Sequence, residues 1–457
     1  MSRVDRTRLP KPGPSAHFRF PIIQRAVLPN GLQVRAISHR NVPVVCAVLM
    51  VPVGTAADPA DRYGLAAFTA DLLDEGSGGR SAIEISDAIA RFGADLDVDC
   101  GPDSTTLALT TLTRFMQPAI DLLAEMAIAP NLADADIERV RKLRLERSRQ
   151  LRDHAPAVAE RALMRVLYRD HPYGHLGLGH EVALEATTAD ELRAFHRGAF
   201  VPRGATLVIA GDATTKELTK VVANAFGNWQ TPSDAPSVDR DAGLKPPPLV
   251  PQQRLAVVAR HGAAQSELRI GHVCASRDTP DYHALVLLNM ILGGQFVSRV
   301  NLNLRQDKGY TYGVRTGFDL RRGLGPFALQ TSVQTEVTAD AIREALRELE
   351  EIRGARPATA DELALARASV TRGYPRGFET AQQVARSVAQ LALHALPDTY
   401  FEEFVPRVEA VTLREITRVA AEYLDPARMV TLAVGDHDRI APALQALNLG
   451  EPFVLGT

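Results

Sequence analysis

Arg305 and Tyr312 stand seven residues apart in the segment Leu292–Val314, LGGQFVSRVNLNLRQDKGYTYGV. A guanidinium and a phenol both donate hydrogen bonds at neutral pH, so the pair can converge on one peptide carbonyl oxygen. Gly293 and Gly294 end an apolar, helix-like run and read as a flexible loop beside them. Gly309–Val314 (GYTYGV) reads as a strand. The plainer reading is that Arg305 is a solvated charge and Tyr312 a packing residue.

A second cluster invites a metal reading: His171, His175 and His180 lie in HPYGHLGLGH. Gly174, Gly177 and Gly179 between them argue for a loop, and no carboxylate stands at the spacing of a helical metal site. The structural reading is preferred. A phosphate-cradling role for the same glycines lacks the strand–loop–helix setting and lysine it would need.

These residues are positioned by a chain that repeats itself. Thr188–Glu191 is a capping box opening a helix, and Thr412–Glu415 repeats it 224 residues later. In the same register Pro202 meets Pro426, Ala205–Ala210 meets Met429–Val434, Gly211-Asp212 meets Gly435-Asp436, and Glu138 meets Glu362 behind Thr359. Two tandem copies of one domain are therefore expected. The Pro- and Asp-rich stretch 231–252 reads as an extended connection. The domains are drawn as 1–235 and 253–457, with a linker at 236–252. A hairpin signal at Asn30-Gly31 and strands at Val42–Val53, Thr105–Leu112 and Thr206–Ala210 accompany helices at 63–75, 134–152, 156–168 and 188–199. Strands and helices that do not strictly alternate predict an α+β fold, each domain an antiparallel-rich sheet backed by helices.

The 457 residues are 46% hydrophobic and can bury sizeable cores. A net charge of −2 argues against nucleic acid as a partner. Cys46, Cys100 and Cys274 are odd in number and widely spaced, which suits a reducing compartment or core packing. The N-terminal MSRVDRTRLPKPGPSAHFRF has no apolar core of a secretory signal, and no apolar run is long enough to span a bilayer. A soluble cytoplasmic protein without a membrane partner is expected.

The segment 292–314 resembles the C-terminal half of the pitrilysin/insulinase metallopeptidases, in their short two-domain, mitochondrial-processing-peptidase-like branch. The match runs through Leu292-Gly-Gly, Ser298-Arg299 and Arg305-Gln-Asp-Lys-Gly-Tyr-Thr-Tyr312. The resemblance extends from about residue 24 to 448 and implies a LuxS/pitrilysin-like metallohydrolase fold. Peptide-cleaving members carry HxxEH on a helix of the N-terminal half, two histidines for zinc and a glutamate that activates water. The matching stretch here is Gly64–Glu75, GLAAFTADLLDE, with Ala67 and Asp71 in the histidine places and Ala70 in that of the base. Glu146 is the candidate for the family's third ligand; Asp71 plus one glutamate makes no nitrogen-rich tetrahedral site. The resemblance thus implies a chain with no metal and no catalytic residue of its own. Arg305 and Tyr312 are then expected to hold substrate facing the zinc of an HxxEH-bearing homologous partner in a heterodimeric endopeptidase. In the family two such half-shells enclose a chamber for unfolded peptides. The rival expectation is a catalytically inactive scaffold or peptide-binding homologue.

Overall fold

The computed structural model describes residues 18–456. The N-terminal half supplies β1 (Gln24–Val27), β2 (Gln33–Ser38), β3 (Val44–Val51), a small hairpin of β4 (Gly76–Ser77) and β5 (Arg80–Ser81), then β6 (Asp95–Cys100), β7 (Thr105–Leu112) and β8 (Thr206–Gly211). The C-terminal half supplies β9 (Leu255–Ala259), β10 (Gln265–Val273), β11 (Val314–Phe318), β12 (Pro326–Gln334), β13 (Val430–Gly435) and β14 (Phe453–Leu455). They form two six-stranded sheets, β1-β2-β8-β3-β7-β6 and β11-β12-β10-β13-β9-β14.

Five strands of each sheet share one topology. β2 runs parallel to β8 as β9 does to β13, and β8 lies antiparallel to β3 as β13 does to β10. β8 and β13 lie 224 residues apart, so the sequence repeat is a repeat of architecture. The sheets differ at one edge. There β1 adds antiparallel to β2, whereas β14 adds parallel to β9. The fold is α+β, with antiparallel pairs in the majority in each sheet.

The expected capping boxes at Thr188, Thr359 and Thr412 all form, each side chain accepting from the N–H three residues on. The expected helix 63–75 shortens to Leu65–Ala70, followed by turns. The expected strand at Gly309–Val314 is an irregular loop, and β11 begins only at Val314. Gly309, at φ +66°, breaks the extended conformation before Tyr312.

Each half lends a helix to the other. Helix Ala155–Tyr168 lies between β7 and β8 of the N-terminal sheet in sequence, yet Leu163, Met164 and Leu167 pack with Val258, Val430 and Leu432 of the C-terminal sheet. Helix Ala381–Leu393 does the reverse, burying Val384, Ala385 and Val388 against Val48, Val208 and Ala210. Both sheets are therefore covered on both faces, which is why strands such as β8 and β13 are buried along their whole length. Stretch 231–252 is not a free spacer. It makes a helical turn at Ala242–Leu244, and Arg322 donates to Arg240 O (2.8 Å) and Asp241 Oδ1 (2.9 Å). Among the described residues no helix is long and apolar enough to cross a membrane.

Candidate functional site

Leu292 ends an apolar helix, Tyr282–Leu292, and the two glycines cap it, with the N–H groups of Gly293 and Gly294 both donating to Asn289 O. A Cβ on Gly293 would lie 2.5 Å from Thr316 Oγ1, and one on Gly294 would lie 2.8 Å from Asn289 Nδ2. These glycines are therefore needed for close approach to β11 and to the helix end, rather than for flexibility. Thr316 Oγ1 donates to Asn289 Oδ1 (2.8 Å), closing the same junction.

The two arginines of this segment have different fates. Arg299 is buried and all three of its guanidinium nitrogens are bonded, to both Glu362 carboxylate oxygens, to Pro357 O (2.8 Å) and to Arg356 O. It fastens the chain to helix Ala360–Arg372. Arg305 comes six residues later, on a wide π-helical turn, Leu302–Asp307, in which Lys308 N–H bonds Asn303 O. Asn303 anchors that turn by donating to Glu348 (2.8 Å) and Glu344 (3.0 Å), while Leu304 is fully buried. Single π turns recur at functional sites, because they re-aim side chains without ending a helix.

Arg305 is half-exposed, with its guanidinium 3.7 Å above the ring of Phe296. Tyr312 is 94% exposed. Among the described residues neither side chain has a hydrogen-bond partner, so their donors point to no internal acceptor. Both line one cleft of about 580 Å³, with Gln265, Tyr310 and Ser332. Tyr312 and Ser332 also border a neighbouring cleft of about 790 Å³ that contains Gly293, Gly294, Phe296 and Thr316. The loop is held from below. Thr331 Oγ1 donates to Gly313 O (2.9 Å), and Asn301 bonds both N–H and C=O of Val314. Phe296, Val297 and Leu302 add exposed apolar surface around Arg305.

Helix Leu65–Ala70 has none of the chemistry its place in the fold would need. Ala67 and Ala70 are buried methyl groups with no donor atom. The Asp71 carboxylate is ion-paired with Arg144, whose buried guanidinium also donates to Gly177 O (2.6 Å) and Leu178 O (3.2 Å). A fixed cation thus sits on the carboxylate that a metal would use, and zinc does not fit this donor set. Glu146 lies on the exposed face of helix Asp134–Arg152, away from the buried face of Arg141, Arg144 and Ser148.

A residue that sequence reasoning missed organises this helix. Gly64 offers no cap, and Asp58 does the work from outside, accepting from Gly64 N and Ala66 N, each at 2.7 Å. His175 Nε2 lies 3.0 Å from the same carboxylate, and its ring stacks on Tyr63 with centroids 4.1 Å apart. His171 Nδ1 accepts from Tyr173 N, and its Nε2 donates to Lys245 O (2.8 Å); burial holds its pKa below the ordinary imidazole value. Tyr173 donates to Asp103 (2.5 Å) and accepts from Gly323 N. His171 and His175 are structural, and the three histidines form no metal cluster among the described residues.

Residues 34–179 match the family model described as Insulinase (Peptidase family M16), and residues 186–370 match Peptidase M16 inactive domain. An uncharacterized zinc protease of Mycobacterium tuberculosis is 26% identical over 417 residues, 91% of this chain and 93% of that protein. A protein of Helicobacter pylori named a non-peptidase homolog is 22% identical, covering 84% of this chain and 91% of its own length. A probable mitochondrial-processing peptidase subunit beta of Schizosaccharomyces pombe is 22% identical over 60% of this chain and 59% of its own. The crystal structure of a peptidase M16 inactive domain from Pseudomonas fluorescens superposes with a TM-score of 0.84 at 23% identity, covering 90% of this chain and 98% of that one.

Proposed function

This chain belongs to the insulinase family, peptidase family M16, and from that premise we propose that it is the zinc-less, substrate-holding subunit of a two-chain zinc endopeptidase. The observation that carries the reading is a contrast within one molecule. The Asp71–Arg144 pair closes the place of the metal, whereas Arg305 and Tyr312 keep unspent donors on an open cleft. A scaffold has no use for a tyrosine standing 94% exposed on a braced loop.

In this reading an HxxEH-bearing homologue supplies the metal and the water. Arg305 and Tyr312 grip carbonyl oxygens of an unfolded peptide, which lowers the entropic cost of bringing the scissile bond into place. Phe296 and the glycine-capped helix end give the peptide an apolar floor. The relative named a mitochondrial-processing peptidase subunit supports a two-chain assembly. The test is to mix the purified chain with a homologue that carries the motif, then measure cleavage of an unfolded peptide. A second reading, a peptide-binding protein without catalysis, draws on the relative named a non-peptidase homolog. It predicts saturable peptide binding that no partner converts into cleavage.

A further inference from the structure

β9 and β13 run parallel and end together, Ala259 opposite Gly435, so the segments that follow them leave the sheet side by side. The first turns sharply at Gly262, at φ +72°, and brings His261 round. The second enters helix His437–Gln445 through Asp436. Gly262 N–H bonds Asp436 Oδ2 at 3.0 Å, which draws the carboxylate against the turn that bears His261. Asp436 is only 5% exposed, and among the described residues its Oδ1 is sealed from solvent without a hydrogen-bond partner. A buried carboxylate oxygen with neither donor nor cation is costly, and such an atom calls for a ligand.

The neighbours of this carboxylate have the chemistry of one ligand class. His261 and Asp438, both exposed, each bring a ligand atom so that theirs and that of Asp436 all lie within 4.8 Å of one another. We propose that His261, Asp436 and Asp438 form a binding site for a divalent first-row transition metal ion. Metal–ligand bonds of about 2.0–2.4 Å span such a set after small rotations of the two exposed side chains. An imidazole with two carboxylates favours Zn²⁺, Co²⁺ or Mn²⁺ over the all-oxygen ions Ca²⁺ and Mg²⁺. Three protein ligands leave positions for water, so the ion is exchangeable.

The plain alternative is that Asp438 simply complements the dipole of the helix it opens. That accounts for neither the orphaned oxygen of Asp436 nor the approach of His261. The turn that carries His261 runs on into Gln265, which lines the cleft of Arg305 and Tyr312, so a bound ion braces the start of β10. The site is independent of the proposed function and supplies no step in peptide cleavage.

The experiment is a titration of the chelator-treated full chain with Co²⁺, followed by visible absorption and by melting temperature. One ion per chain is expected, with a rise in melting temperature because only the folded chain assembles the site. His261→Ala and Asp438→Asn, both at exposed positions, should each weaken binding by about tenfold or more while leaving the circular dichroism spectrum unchanged. Absence of saturable binding by the wild-type chain up to ~1 mM Co²⁺ overturns the site. So does Co²⁺ binding that both substitutions leave intact, which would place the ion elsewhere, including at helix Leu65–Ala70.

Discussion

Arg144 and Arg305 show how burial decides what a guanidinium does. Arg144 is enclosed, and its bonds to Asp71, Gly177 O and Leu178 O tie helix Leu65–Ala70 to the loop before His180. Arg144→Ala should destabilise the chain by about 2–3 kcal/mol, because carbonyls placed to receive a charged donor lose it. Asp71→Ala removes only a half-exposed acid and should cost less, although it leaves the guanidinium without its counter-ion. Urea midpoints of the two variants compare these costs directly. Arg305 and Tyr312 predict the opposite pattern. Their substitution should leave the midpoint unchanged, since neither is packed in a core or bonded internally. In the assembled enzyme, Arg305→Ala should lower kcat/KM by roughly 10- to 100-fold, as for a lost charged hydrogen bond of about 1.5–3 kcal/mol. Tyr312→Phe should cost about tenfold, since it removes a neutral donor only. Full activity of both variants in an intact complex would leave the cleft without a role.

At the scale of elements, the sequence was most readable where local rules act. The three capping boxes, β7 and the 224-residue register needed only side chains a few positions apart or a repeated pattern. It was least readable where distant contacts decide. Gly309–Val314 carries two tyrosines and a threonine, good strand formers, yet lies in a loop held by Asn301 and Thr331 from other elements. Asp58 caps Gly64 and Ala66 from six and eight residues upstream, outside the capping-box spacing, and Arg144 reaches Asp71 across 73 residues, so no spacing rule could find them. Likewise the three-histidine loop offered no hint that His175 serves Asp58. Helix Ala189–Ala199 carries a testable consequence of burial. His196 Nε2 donates to Ala127 O (3.0 Å), and burial pushes its pKa down from 6.5 to about 4. The unfolded imidazole therefore takes up a proton near pH 6.5 that the folded one refuses until about pH 4. Its contribution is complete above that window and is lost as pH falls through it, at up to about 1.4 kcal/mol per pH unit. His196→Gln keeps a donor for Ala127 O without the titration, so the acid limb of its stability–pH curve should be shallower by one proton. An unchanged slope would mean that His196 does not remain neutral in the fold.

The whole molecule is two copies of one domain locked by exchanged helices, and the exchange decides how it comes apart. A nick in the exposed part of 246–252 should leave the halves co-eluting under native conditions and separating only in denaturant, because Ala155–Tyr168 and Ala381–Leu393 each sit in the other half's core. The same locking holds Arg305 and Tyr312 in a fixed relation to helix Leu65–Ala70 of the N-terminal half, so in the proposed function the cleft meets a metal carried by a second chain. This is the reason a partner is required in the proposed function. Zinc added to the chelator-treated chain alone should produce no peptide cleavage, whether or not an ion binds at His261. Mixed with an HxxEH-bearing homologue, the chain should form a complex of about one to one whose activity saturates at that ratio and disappears with chelator. Arg305→Ala should then assemble normally and remain slow, separating the grip on substrate from the contact between chains. A homologue fully active alone and indifferent to this chain would refute the subunit reading, and saturable peptide binding by this chain in that case would identify it as a binder without catalysis.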